Sequence, residues 1–119
     1  MQNVKLSQIV REVLQEYAKG QRAFVNVELD NADLSGVSLE GVTFERSFLS
    51  ASFRGACLRN AVFRECNVKS ADFTDADLRN ASFPGSSVCA IILDRADVEG
   101  ADFSGACFHG HELKKSDLP

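Results

Sequence analysis

The sequence predicts an all-β repeat architecture that changes direction once every five residues and carries a helix at its N-terminus. Three observations predict it. From Phe24 to Leu118 a bulky apolar residue recurs at every fifth position, with a single one-residue slip between Leu49 and Phe53. The position two residues before this centre is held small, as in Ala32, Ala61, Ala76 and Ala101, or in Ser47, Cys66 and Ser86. Seven of the eight glycines fall two residues after a centre, in a slot shared with Asn26, Asn31, Asn60 and Asn80. A period of five matches neither the roughly 3.6 of a helix nor the roughly two of a strand, so each unit must contain a turn. One slot kept large beside one kept small describes a packed interior. A Gly or Asn slot describes a corner, because both residues tolerate left-handed turn conformations.

Residues 1–21 stand apart. Leu6, Ile9, Val10, Val13, Leu14 and Tyr17 recur at three- and four-residue steps, the stripe of an amphipathic helix, and Gly20 supplies its C-terminal stop. A single stripe needs a single apolar partner. The expected partner is the open end of the repeats, so the helix is expected to cap Phe24, Leu29, Leu34 and Leu39. Lys5, Arg11 and Lys19 against Glu12 and Glu16 make a poor membrane-surface helix, and no membrane partner is expected.

Residues 22–119 form the repeat region. Ala32-Asp33-Leu34-Ser35-Gly36, Ala71-Asp72-Phe73-Thr74-Asp75, Ala76-Asp77-Leu78-Arg79-Asn80 and Ala101-Asp102-Phe103-Ser104-Gly105 resemble the A-[DN]-[LF]-x-x unit of pentapeptide-repeat proteins. The resemblance implies a right-handed, quadrilateral β-solenoid in which each unit is one side, four units make a coil, and the region makes about five coils. Four units per coil would stack centres at intervals of twenty, or nineteen across the slip. One such column is Phe24, Phe44, Phe63, Phe83 and Phe103, all aromatic; another is Leu39, Leu58, Leu78, Val98 and Leu118, all aliphatic. A narrow tube of fixed section favours stacking like on like.

The two ends differ in expectation. Units continue to Leu118 with no second helix after them, so Phe103, Phe108, Leu113 and Leu118 are expected to form an exposed end with unpaired backbone, a candidate for two-fold self-association. Arg22 and His111 occupy the small slot in the first and last units, where a charged or imidazole group requires water or a partner.

Candidate chemistry is sparse. Cys57, Cys66, Cys89 and Cys107 show no CxxC spacing and read as reduced thiols, Cys66 inward and the others outward. Cys107-Phe108-His109-Gly110-His111-Glu112 is the one stretch resembling a metal cluster, but the repeat sends its side chains in different directions, and no metal or other cofactor is expected. No nucleophile motif, phosphate loop or cleft-forming insertion is evident, so no enzyme activity is expected. No run approaches the ~18 apolar residues of a membrane span. Met1-Gln2-Asn3-Val4-Lys5 lacks an apolar signal core, so a cytoplasmic location is expected.

What remains is surface. The chain has a net charge of −4, which divides into +2 over residues 1–23 and −6 over the repeats. One side is expected to gather Glu40, Asp77, Asp97, Glu99 and Asp117 against Arg59 and Arg79, a net −3 that a cationic partner would neutralise. Phe48, beside the missing corner residue, and Ile92, where Asp or Ser is usual, are expected to point outward as contact sites. The preferred reading is a non-catalytic structural or protein-interaction module whose protein partner the sequence does not name, with no direct nucleic-acid binding. The alternative comes from the resemblance: some family members protect bacterial type II topoisomerases such as DNA gyrase by imitating duplex DNA.

Overall fold

The computed structural model describes the backbone of residues 2–108, 111 and 112, and the side chains of residues 5–107. Helix α1 spans Gln2–Ala18. It stops at Gly20, whose φ of 112° suits a residue without Cβ. There the Gly20 N–H donates to the Tyr17 carbonyl and the Gln21 N–H to the Glu16 carbonyl, both at 2.9 Å, which satisfies two of the carbonyls a helix end leaves open.

Three short strands follow: β1 (Ala23–Val25), β2 (Thr43–Glu45) and β3 (Val62–Arg64). They pair in parallel, in the order β1-β2-β3, with Phe24 opposite Phe44 and Phe44 opposite Phe63. The chain therefore returns to the same wall after twenty residues, and after nineteen across the slip. Single parallel bridges repeat that step on three further walls. Glu28, Phe48, Asn67, Ser87 and Cys107 mark the second wall; Asp33, Ser52, Asp72 and Ile92 the third; Ser38, Cys57, Asp77 and Asp97 the fourth. The result is a four-walled solenoid with one unit per wall, and the molecule measures 39 × 24 × 22 Å.

The every-fifth residues fill the tube. Phe44, Phe53, Phe63, Phe73 and Phe83 are fully buried, as are Leu29, Leu34, Leu39, Leu49, Leu58 and Leu78. Rings of the first wall stack along the axis, with Phe63 and Phe83 centroids 4.8 Å apart and their planes 6° from parallel. Phe53 and Phe73 form a second stack on the third wall at 5.2 Å. The two stacks meet edge to face across the lumen, at 6.2 Å for Phe53 with Phe63 and 6.0 Å for Phe73 with Phe83. Edge-to-face contact adds a directional term to plain burial and fixes how the walls face each other.

Most corners close alike. At Asn60 (φ 61°) the Ala61 N–H donates back to the Leu58 carbonyl at 3.1 Å, a turn that needs a left-handed residue in its second central position. The corner between the first and second walls differs in its early rows, where hydroxyls replace that backbone bond. Ser86 Oγ accepts from the Cys66 N–H at 2.9 Å and donates to the Phe63 carbonyl at 2.6 Å. Ser47 Oγ accepts from the Val27 N–H at 3.0 Å and donates to the Glu45 carbonyl at 3.1 Å. The buried Cys66 thiol donates to the Phe44 carbonyl at 3.3 Å. Ser47, Cys66 and Ser86 are small residues in the sequence pattern, and here they also satisfy backbone groups that would otherwise be buried without partners. At the slip, the Ala51 N–H reaches the Leu49 carbonyl at 2.7 Å, two residues back where other corners bond three back. The missing residue is a shortened corner, and it leaves the walls in register.

The end of the stack corrects one expectation. Past the last parallel row the chain turns back: β4 (Cys107–Phe108) pairs antiparallel with β5 (His111–Glu112), Cys107 opposite Glu112 and Phe108 opposite His111. Cys107 also pairs in parallel with Ser87, so β5 covers the outer edge of the second wall. The edge expected to be unpaired is closed there by the chain's own return. Phe103 is buried; the side chains of Phe108 and His111, together with Leu113, Asp117 and Leu118, lie outside the described residues.

Candidate partner-binding surface

Outward positions on the four walls carry the polar side chains, and stacking brings together residues some twenty apart in sequence. On the fourth wall Glu40, Asp77, Asp97 and Glu99 share a face, as the column alignment anticipates. Arginines are interleaved among them. Arg59 lies 3.9 Å from Glu40 and 3.1 Å from Asp77, while Arg79 lies 2.8 Å from Asp77 and 3.6 Å from Asp97. The expected carboxylate ladder is thus a carboxylate–guanidinium zipper. The Arg79 hydrogen bonds hold the Asp77 carboxyl below the usual carboxylate range, outweighing its partial burial.

The third wall repeats the device. Partial burial pushes the Asp72 carboxyl up, but hydrogen bonds from Thr74 and from Arg54, at 3.0 Å, overcome this and leave it below the usual range. Asp75 receives a forked bond from Arg95, at 2.8 and 3.2 Å, which lowers it as well. Arg59 and Arg79 were visible in the sequence. The signal that reveals their role is their own column, one slot past the centre and beside the Asp column.

Among the described residues three large apolar side chains break the polar exterior: Phe48 at 47 % exposure, Val25 at 45 % and Ile92 at 40 %. Phe48 and Ile92 point outward as expected, but on the second and third walls, so the fold does not bring them together. Phe48 stands between Glu28 and Asn67 on the second wall and borders an open groove of about 530 Å³ with Lys5, Leu6 and Ile9 of α1. Val25 and this groove are what the sequence reading missed; a helix stripe and a repeat register do not say how the helix lies across the stack.

Cys66 is buried, Cys57 and Cys89 are half-buried and Cys107 is exposed, none of them in a disulfide. Burial pushes the Cys66 thiol up. Among the described residues no group of three His, Cys, Asp or Glu side chains is arranged to hold a metal ion. The imidazoles of His109 and His111, named with Cys107 as a metal-like stretch, lie outside the described residues. No described helix is long and apolar enough to cross a membrane.

Comparison with known proteins agrees with this geometry. The pentapeptide-repeat family model matches residues 23–50, 47–85 and 85–118. Among solved structures, QnrB1, a plasmid-mediated fluoroquinolone resistance protein, superposes with a TM-score of 0.54 at 24% identity, over 74% of this chain and 44% of that one. The chain thus spans less than half of QnrB1, and the likeness is one of fold. A pentapeptide repeat protein from Nostoc Pcc 7120 gives a TM-score of 0.43 at 28% identity, covering 92% of this chain and 93% of that one. A pentapeptide repeat protein from the Arabidopsis thaliana thylakoid lumen gives 0.47 at 26% identity, over 76% and 70%. No curated relative matches by sequence. With the family model matching most of its length and its walls built of five-residue units, the chain belongs to the pentapeptide-repeat family.

Proposed function

We propose that this protein is a non-catalytic protein-interaction module: a right-handed solenoid of about five coils, its last one modified by the β4–β5 return, used as a rigid scaffold for contact residues. The observation that carries this reading is the placement of Phe48. It is a large aromatic held outward by a wall, beside the shortened corner, on the lip of a groove. Apolar groups presented this way are what partners bury. The titratable groups support the same reading. Asp72, Asp75 and Asp77 are tied to arginines and held ionised well below neutral pH, which suits them to ion pairing and not to proton donation.

The topoisomerase reading receives less support. The described fourth wall carries Glu40, Asp77, Asp97 and Glu99 against Arg59 and Arg79, four anions less two cations, a net −2. Three strand spacings span ~14 Å, over which duplex DNA would present about eight charges. Self-association through Phe108, Leu113 and Leu118 is retained as a secondary proposal, with the buried Phe103 and the second-wall edge covered by β5 removed from it.

Affinity capture with the intact protein and with the Phe48→Ser and Ile92→Ser variants tests the reading. A discrete partner retained by the wild-type protein and lost with either variant is the expected result. Equal recovery by all three proteins rejects Phe48 and Ile92 as contacts. Salt-sensitive inhibition of gyrase supercoiling would instead select the DNA-mimic alternative.

A further inference from the structure

Helix α1 covers the centres of the first coil, with Phe24, Leu29, Leu34 and Leu39 all buried as expected, but it does not seal the edges around them. Its N-terminal part borders Asn31, at the corner of the second and third walls. Its C-terminal part is fixed by Tyr17, whose hydroxyl donates to the Glu40 carbonyl at 2.7 Å, beside the corner of the fourth and first walls. These are opposite corners of the square, so the helix follows a diagonal and leaves an opening on each side.

The two openings differ in charge. The one flanking the third wall is lined by Arg11 and Asp33, one charge of each sign. The other runs from the corner of the first and second walls along the second wall, as adjoining hollows of about 400 Å³ and 530 Å³ that share Ile9 and Glu28. Its floor is apolar: Ile9, Val13, Phe24 and Val27. Its rim carries Glu12, Glu16, Glu28 and Asp30 against Lys5 alone, four anions less one cation. Glu16 also meets Lys19 at 3.5 Å, whereas Glu28 takes part in no ion pair among the described residues.

The backbone adds an independent observation. On the second wall Phe48 bonds to the residues either side of Glu28: the Leu29 N–H donates to the Phe48 carbonyl at 2.8 Å, and the Phe48 N–H to the Val27 carbonyl at 2.9 Å. The N–H and carbonyl of Glu28 itself therefore face the open end of the stack, and neither has a partner among the described residues. A free strand edge, an apolar floor and an acidic rim converge on one residue.

We propose that this groove docks an extended segment of a partner protein in which lysine or arginine alternates with bulky apolar residues. The segment adds as a strand to the free edge at Glu28. Its apolar side chains seat on Ile9, Val27 and Phe48 beside the helix, and its cations meet Glu12, Glu28 and Asp30. The proposal rests on the interaction-module reading and names the site and the chemistry of its partner.

The test uses the full chain and a fluorescent peptide of alternating lysine and leucine, with a glutamate–leucine peptide as control. Saturable, salt-sensitive binding of the lysine peptide alone is expected, weakened about tenfold or more by Glu28→Lys and by Phe48→Ser. Asp97→Lys makes the same change in net charge on the fourth wall and should leave binding unaltered. The Glu28 amide, fast to exchange in the free protein, should be protected in the complex. Equal weakening by Glu28→Lys and Asp97→Lys, equal binding of both peptides, or no binding overturns the proposal. So does concentration-dependent self-association that Glu28→Lys abolishes, since a second copy would then be the occupant. A captured partner that is lost with Ile92→Ser but kept with Glu28→Lys rejects the groove and leaves the interaction module standing. Absence of any discrete partner rejects the module itself.

Discussion

Phe63 sits where four rings converge. It stacks on Phe44 and Phe83 along its own wall and receives the edges of Phe53 and Phe73 from the opposite one. Because neighbouring rows fix its surroundings, Phe63→Ala leaves a cavity that cannot collapse, and a loss of about 3–5 kcal/mol is expected in denaturant titration. Gly100 is constrained differently. Its φ is 72°, and a Cβ there would overlap the Asn80 side chain one row below, so Gly100→Ala should lower the thermal midpoint, by about 1–3 kcal/mol in stability. Asp77 supplies part of the pH dependence, alongside Asp72 and Asp75. A carboxyl held below its unfolded value contributes stability that is fully present above that value, about pH 4, and is lost as pH falls through the lower folded value. Acid titration of stability should therefore be shallower in Asp77→Asn than in the wild-type protein. Identical acid profiles would show that the zipper with Arg59 and Arg79 contributes nothing.

At the scale of single elements, the hydroxyl ladder at the first corner carries the clearest prediction. Ser86→Ala preserves the small volume the slot demands but deprives the Cys66 N–H and the Phe63 carbonyl of their shared partner. A cost of about 1–3 kcal/mol is expected by denaturant unfolding; a neutral result would show that the slot requires smallness alone. Helix, repeat and corner were all legible in the sequence because each is a local periodicity. The stripe from Leu6 to Tyr17, the stop at Gly20 and the Gly/Asn corners reappear in the structure as read. The Ser47–Cys66–Ser86 ladder was not legible, since its members lie about twenty residues apart and differ from alanine only by one polar atom. The β4–β5 return was missed for a related reason. Phe108 and Leu113 keep the five-residue spacing, and spacing alone does not reveal that the chain reverses between them.

For the whole molecule, register turns a sequence pattern into a surface map. The columns of centres could be written down from the sequence, and so could the outward direction of Phe48 and Ile92. How the walls neutralise their own charge depends on arginine rotamers, and how α1 crosses the stack depends on tertiary contacts such as the Tyr17 hydroxyl with the Glu40 carbonyl, so neither the zipper nor the groove could be read in advance. The surface is accordingly differentiated: self-neutralised carboxylates on the third and fourth walls, an apolar and acidic opening beside the helix, and Phe48 at its lip. The central claim, that partner contact is carried by Phe48 at that opening, is tested most directly by photo-cross-linking in cells. A photoreactive phenylalanine at position 48 should trap a discrete protein partner, while the same group in place of Lys69, exposed further along the second wall, should not. Equal trapping at both positions, or none at position 48, would contradict it.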